Sequence, residues 1–526
     1  MYNLGMKNIQ IRANKWMGKY KYNAILTLTI FILFFCLGYS SKNIKYKLYV
    51  EGNEIKLTHG ICNINNEQYM HIDDLISVFS DEIYHDKISG NVIITTYDSV
   101  KRIDKTDSLY VQKLEDDIYF NLGRIVEELS CEMIVSNNDI YIADYTYVQA
   151  MVKNNRTELL DSNNSKTIAF LEKTESVKIV ENNLISSNDS RVVNVVATKG
   201  DKRFFGYVLK ENLQYKYNKD NEVNQSEKII LVKADDTLST TTDINNIDIV
   251  AMNMYRLSGV NVLSRLEFTN NIHGNVNVYA TFNNGQTSSN YDPEITTRML
   301  NSEANREQII QQLIDGTEKL QGVNLEFGNL KNTDKQNFTQ FVKELAANLH
   351  ASGKKLIVTL ANIQYVEVDK ILKVVDYVVI KPYTARTTAS KTSGPISSIS
   401  HVENTIKNLL KQQVILDKII IEIPAYSILW TERKGTVINA EKYSMQMIQQ
   451  YINANNIESV LDKVSGQNYI NYSKGITTYK MWLEDIHSIR EKTKLVNKYN
   501  LSGISVYQSG MELKEIYKEI SKTLIN

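Results

Sequence analysis

The sequence predicts a multidomain chain: an N-terminal transmembrane helix, an α+β repeat domain, a small β-barrel and a C-terminal (β/α)8 TIM barrel. Three observations predict it. An uncharged apolar run lies between clusters of lysine, a segment repeats after 50 residues, and eight strand-like runs alternate with helical stretches over residues 229–526. A length of 526 residues allows three or four domains at roughly 150 residues each. Hydrophobic residues at 43% and charged residues at 23% exclude wholesale disorder and a multi-span transporter.

The apolar run is Ala24–Tyr39, AILTLTIFILFFCLGY. Lys7, Arg12, Lys15, Lys19 and Lys21 precede it, and Lys42, Lys45 and Lys47 follow. These eight account for part of the 60 basic residues, so 52 remain against 60 acids in the rest of the chain. That mildly acidic body excludes a nucleic-acid partner. Sixteen residues are short for a spanning helix, which needs roughly 20, but Tyr22 and the flanking lysines can reach the interface. The expectation is a basic cytoplasmic tip over 1–23, a transmembrane anchor or signal sequence over 24–40, and an extracellular C-terminal part. The protein is then single-pass in the cell membrane, or secreted if the chain is cut beside the small residues Gly38 and Ser40. Cys36 lies in the run, which leaves Cys62 and Cys131 as a possible pair. No Cys/His cluster has metal spacing, and neither metal nor cofactor is expected.

Residues 46–147 hold the repeat. YMHIDDLISVFSDEIYHD begins at Tyr69 and YFNLGRIVEELSCEMIVS at Tyr119. Each half reads as a strand, a short amphipathic helix and alternating strands, with Ile72, Leu75, Ile76 and Phe79 matched by Leu122, Ile125, Val126 and Leu129. The pattern resembles the copper amine oxidase N-terminal-like domain of clostridial envelope proteins, a name that implies neither copper nor oxidase activity there. Residues 155–217 read as short strands separated by polar turns, with a turn at Lys199–Asp201 followed by Phe205-Gly206-Tyr207-Val208. This fits a five-stranded barrel and resembles a bacterial Src-homology-3-like domain, which implies cell-wall peptide binding or a spacer role. Residues 218–228 are polar and read as a linker.

Over 229–526 the strand-like runs are IILV (229–232), GVNVLS (259–264), VNVYATF (276–282), GVNLEF (322–327), KLIVTLA (355–361), DYVVIKPY (376–383), KIIIEIPAY (418–426) and GISVYQ (503–508). Helical stretches such as DKQNFTQFVKELAANLHASG lie between several of them, which is the pattern of a (β/α)8 barrel. Pro382 and Pro424 fall at the C-terminal ends of strands six and seven, the edge where barrel enzymes place their loops.

QGVNLEFGNLKNTDKQNFTQFVKELAANLH resembles the strand-four signature of family 18 glycoside hydrolases, in the branch of bacterial spore-cortex and cell-wall N-acetylglucosaminidases. KIIIEIPAYSILW is similar to their strand seven, and YKMWLEDIHSIREKTKLVNKYNLSGISVYQSG to their C-terminal segment. The resemblance implies substrate-assisted hydrolysis: the 2-acetamido oxygen attacks the anomeric carbon, a strand-four Glu protonates the leaving oxygen, an Asp two residues earlier orients the acetamide, and a strand-six Tyr binds it. Carried over position by position, the leading Asp is Gln321, the branch Asn is Asn324, the orienting Asp is Glu326, and the general acid is Gly328. The strand-six tyrosine is Tyr383, and Tyr507 stands in place of the strand-eight tryptophan.

Glu326 is the substitute candidate for catalysis, with Tyr383 beside it. Two residues along a strand place it about 6.5–7 Å back, whereas an acid must come within about 2.6–3.2 Å of its oxygen. Lys381, Glu422 and Glu267 introduce charge into the old pocket, and Lys381 is expected to pair with Glu326, Glu422 or both. The expected ligand-binding set is Asn324, Glu326, Tyr383, Tyr426, Trp482 and Tyr507, with Trp430 a further stacking candidate. The expected function is a membrane-anchored, catalytically inactive envelope protein that binds or scaffolds at peptidoglycan or the spore envelope. The alternatives are an active hydrolase of N-acetylglucosamine-containing β-1,4 glycans, and a structural assembly factor. Expected partners are cell-wall glycan or N-acetylglucosamine oligomers, envelope proteins, and the membrane through 24–40.

Overall fold

A computed structural model describes residues 46–525, except 51–52, 115–116, 137, 144–147, 162–165, 180–190, 200–201, 217–227, 236, 241, 268–271, 273–274 and 288–289. It shows a multidomain α+β protein that ends in a closed eight-stranded parallel barrel. The expected transmembrane helix is corrected: among the described residues no helix is long and apolar enough to cross a membrane, and 1–40 lie outside them. The single-pass topology and the membrane as a partner are corrected with it. The linker expected over 218–228 also lies outside, apart from its last residue.

The chain forms two compact units. One comprises the residues up to Phe79 together with Thr106–Tyr217, and the other comprises Ser80–Lys105 with Asn218–Asn526. In the first unit the repeat builds a local two-fold. Helices Ile72–Val78 and Leu122–Glu128 occupy equivalent positions. Strands Glu67–His71 and Asp117–Asn121 pair antiparallel with Tyr69 opposite Asn121, Met70 opposite Phe120 and His71 opposite Tyr119. Because 69 is equivalent to 119 and 71 to 121, the axis passes between Met70 and Phe120. His71 and Asn121 each cap the following helix, accepting from the backbone N–H groups of Asp73 and Arg124 at 3.2 Å. Residues 148–216 form a seven-stranded antiparallel sheet rather than the five-stranded barrel expected: six strands lie within 157–216, and Val148–Val152 joins them between Ser176–Ile179 and Leu213–Lys216. Cys62 and Cys131 are both free thiols.

In the second unit the barrel strands are β1 (Ile229–Ala234), β2 (Ile249–Gly259), β3 (Asn277–Asn283), β4 (Gly322–Glu326), β5 (Lys355–Leu360), β6 (Tyr377–Ile380), β7 (Ile419–Pro424) and β8 (Gly503–Tyr507). Each pairs parallel with the next, and β8 closes on β1. The second strand differs from expectation. Residues 259–264 turn back, and Val262–Arg265 runs antiparallel to the end of β2. The barrel interior changes character along its axis. Leu231, Ile249, Ala251, Tyr279, Ile357, Val379 and Ile420 form one apolar cluster. Two residues further along their strands stand Lys233, Asn253, Thr281, Thr359, Lys381 and Glu422, in the same phase. Gly322 is required where the wall meets this filling, because a Cβ there would lie 2.4 Å from the Lys355 carbonyl and 2.6 Å from the Tyr279 ring.

Two additions decorate the barrel. Between β7 and β8 the chain builds a five-stranded antiparallel sheet covered by helix Met445–Asn455. The other is the three-stranded sheet Ile83–His85, Val92–Thr95 and Val100–Ile103, which packs on helices Glu303–Gly316 and Lys335–Ala351. Its contacts include Tyr84 Oη to Asn337 at 2.6 Å and the stacking of Tyr97 on His350 at 4.2 Å. A fully buried Arg306 ties the helices together and reaches the sheet: its guanidinium donates to Glu344 at 3.0 and 3.2 Å, to the Leu300 carbonyl at 2.8 Å and to Asp86 at 3.5 Å.

Candidate functional site

The site lies at the C-terminal end of the barrel strands. A cavity of about 240 Å3 is lined by Lys233, Asp235, Asn253, Thr281, Asn283, Glu326, Lys381, Tyr383, Tyr426, Lys442 and Tyr507, among others. Four charged groups from four strands meet at its floor. Lys233 at the end of β1 bonds Glu326 at the end of β4 and lies 3.4 Å from Glu422 on β7. Lys381, just beyond β6, lies 2.8 Å from Glu326 and 3.6 Å from Glu422. Two ammonium groups thus face two carboxylates, and the cluster is neutral in formal charge. Such a group stays charged inside a protein only when its members compensate one another.

The electrostatics fix the state of Glu326. Burial alone would raise its pKa. The Lys233 and Lys381 ammonium groups outweigh burial and hold it down at about 2, against an ordinary 4.5. Its carboxylate is 15% exposed at the cavity floor and remains ionised at neutral pH. Tyr383 donates its hydroxyl to Glu422 at 2.9 Å, and burial followed by that carboxylate pushes its pKa well up.

Gly328, where the family resemblance led the general acid to be expected, is tied down through its backbone. Gly328 N–H donates to Asn284 Oδ1 at 2.8 Å, and Asn284 Nδ2 returns a bond to the Gly328 carbonyl at 2.9 Å. Asn284 is 1% exposed and also bonds Thr296. Phe327, next to it, points away into a cluster with Phe282, Phe338 and Phe341.

The residues named from sequence divide. Glu326, Lys381, Glu422, Tyr383, Tyr426 and Tyr507 come together, Glu422 as the fully buried floor beneath the others. Asn324 is 1% exposed and lies below the cavity, accepting from Thr359 at 2.7 Å and donating to Thr281 at 3.1 Å. Glu267 is exposed beyond the Val262–Arg265 strand and does not line the cavity. Trp482 sits in the inserted sheet, packed on Tyr469 at 4.6 Å with its indole N–H on Asp462 at 3.0 Å. Trp430 is fully buried with its indole N–H on the Gly394 carbonyl, which leaves no face for a sugar. The sequence reading missed Lys233, Asp235, Asn253, Asn283 and Lys442. Lys233 was detectable in principle: it ends β1 in phase with Leu231, as Lys381 follows Val379 on β6.

A closed parallel barrel with its polar cluster at the C-terminal mouth has the architecture on which barrel enzymes build their sites. Residues 258–512 match the family model described as Glycosyl hydrolases family 18. The barrel is a family 18-fold domain related to bacterial spore-cortex and cell-wall glycosylases. YdhD of Bacillus subtilis, whose name describes a sporulation-specific glycosylase, is 28% identical over 240 residues, covering 42% of this chain and 55% of that protein. The uncharacterized glycosylase YvbX of the same organism is 22% identical over 248 residues, covering 44% of this chain and 70% of that one. The spore cortex-lytic enzyme SleL of Bacillus megaterium shares the fold, with a TM-score of 0.51 at 15% identity over 60% of this chain and 77% of that one. The membrane-anchored scaffold expected from sequence is corrected on two grounds: no described helix can cross a membrane, and these relatives favour the hydrolase alternative.

Proposed function

We propose that the barrel is directed at N-acetylglucosamine-containing β-1,4 glycans of the peptidoglycan or spore-cortex kind, and that it lacks the general acid of its family. The family match and the glycosylases among its relatives support the substrate class. One observation carries the second half: the acid position is Gly328, and the neighbouring strand-four carboxylate, Glu326, is held ionised between two lysines. A general acid needs a proton at working pH and a pKa near it. Hydrolysis is the second reading, favoured by what the relatives are named for. For the N-terminal region we retain the copper amine oxidase N-terminal-like reading of 46–147, supported by the local two-fold.

The test is incubation of the full chain with cortex-type glycan fragments, with bound glycan and new reducing ends both measured. Binding without new reducing ends is the expected result. Turnover that disappears in Glu326→Gln establishes the hydrolase instead, and absence of both binding and turnover rejects the substrate class. Gly328→Glu alone is expected to stay inactive, because the Lys233, Lys381, Glu326 and Glu422 cluster has also remade the floor of the pocket in which the sugar would sit. Reducing ends released by that single variant would show that the missing acid is the sole defect.

A further inference from the structure

The repeat in the first unit allows its two halves to be compared residue by residue. Each half needs one side chain to cap its short helix, and in the second half the amide of Asn121 does so. The first half uses an imidazole, His71, and gathers further donor atoms around it. His59 stacks on His71 with ring centroids 3.8 Å apart. His71 Nδ1 lies 3.8 Å from Asp73 Oδ2, and its Nε2 lies 3.7 Å from Asp117 Oδ1. The repeat places Leu109, Asn121 and Gly123 at the positions of His59, His71 and Asp73, so the same strand and helix form in the second half without these donors.

The cluster is held in place by the chain around it. Asp74 is buried and accepts from three successive backbone N–H groups, Thr58 at 2.8 Å, His59 at 2.7 Å and Gly60 at 3.0 Å. That carboxylate draws the loop before strand Ile61–Ile64 onto the start of the helix and sets the His59 ring on His71. Its equivalent in the second half is Arg124, whose side chain has no acceptor. One ligand atom each from His59, His71 and Asp73 lie within 4.8 Å of one another. Tetrahedral Zn2+, with bonds of about 2.0–2.2 Å, sets its ligand atoms about 3.4 Å apart. His59 and Asp73 are exposed, so small side-chain rotations close that difference. No Lys or Arg pairs with Asp73, Asp74 or Asp117 among the described residues. Two imidazoles among three carboxylates suit a divalent ion of borderline softness. Twelve residues separate the two histidines in sequence, which is not a spacing that marks a metal site.

We infer that His59, His71 and Asp73 bind one divalent transition-metal ion of the Zn2+ kind, with water completing its coordination. His71 ligates through Nδ1 and gives up the long bond of 3.2 Å that it accepts from the Asp73 N–H. Its Nε2–H then faces Asp117, as His59 Nδ1 faces Asp74 at 3.8 Å, and such carboxylates orient ligating imidazoles. The ion fastens the His59 loop to the helix and makes the stability of the first unit depend on metal.

The experiment is calorimetric titration of the metal-free full chain with Zn2+, with thermal unfolding recorded in the presence and absence of the ion. Wild type is expected to bind one Zn2+ with a Kd of about 1 μM or tighter and to unfold at a higher temperature with it. His59→Leu and His71→Asn install the residues of the second half, the first at an exposed position and the second with a helix cap retained. Circular dichroism is expected to show both variants folded without metal. Each should weaken the binding by about 100-fold or more, at or above the 10–100-fold usual for a residue behind the ligands, and should abolish the rise in unfolding temperature. Zn2+ binding undiminished in both variants places the ion elsewhere and overturns the site, as does a wild type that binds no Zn2+ below about 1 mM.

Discussion

Arg306→Met is expected to destabilise the barrel unit by about 3–5 kcal/mol, the usual cost of removing one partner from a buried ion cluster. Arg306 and Glu344 are both 0% exposed and Asp86 is 1% exposed. Removing the guanidinium leaves Glu344 with Gln340 at 2.9 Å and Arg102 at 3.6 Å, and leaves Asp86 Oδ2 without its cation. Arg306→Lys should recover little, because one ammonium cannot reproduce the fork that serves Glu344, Asp86 and the Leu300 carbonyl together. Thermal and denaturant unfolding of full-length variants measure the effect, and limited proteolysis within 80–105 locates it. Wild-type stability in Arg306→Met would show that the cluster is dispensable.

Glu326→Gln is expected to cost about 3 kcal/mol at neutral pH, at the low end for a buried pair because Glu422 still faces both lysines at 3.4 and 3.6 Å. The pH dependence gives the sharper signature. The folded carboxylate titrates near 2 and the unfolded one near 4.5, so its contribution is complete above about pH 4.5 and is lost as pH falls towards 2. Wild type minus Glu326→Gln should therefore shrink across that window and stay flat above it. Adding Lys381→Met to Glu326→Gln should restore part of the loss, since Lys233 and Glu422 then balance alone. A constant difference from pH 2 to pH 7 would mean that Glu326 is not held by the lysines.

Seven barrel strands were legible because their apolar runs are rich in Val, Ile and Leu. β2 was not, because IVAMNMYRLSG mixes methionine with Asn253 and Arg256, while the neighbouring GVNVLS presents the stronger β-branched pattern on a strand that runs the other way. Within the site, the strand-four and strand-six residues were found through their phase with the family motif. Asp235 and Lys442 lie beyond motif positions, on segments brought to the mouth only by closure of the barrel and by the inserted sheet. Trp482 has the residue type for sugar stacking, but a sequence carries no record of Tyr469 and Asp462 occupying its ring and its N–H.

The three-stranded sheet over 83–103 has a consequence for the order of events during synthesis. Asp86 and Arg306 are separated by 220 residues. At about 5–20 residues per second, the sheet leaves the ribosome roughly 10–45 seconds before the helices that receive it. Throughout that interval the face of the sheet that carries Thr95, which bonds Gln340 at 3.3 Å, and Ile93, in phase with it and 0% exposed in the finished fold, has no helix to cover it. A nascent chain paused before position 300 therefore offers a sticky β-surface, and it is at that stage of translation that a chaperone would have most to bind.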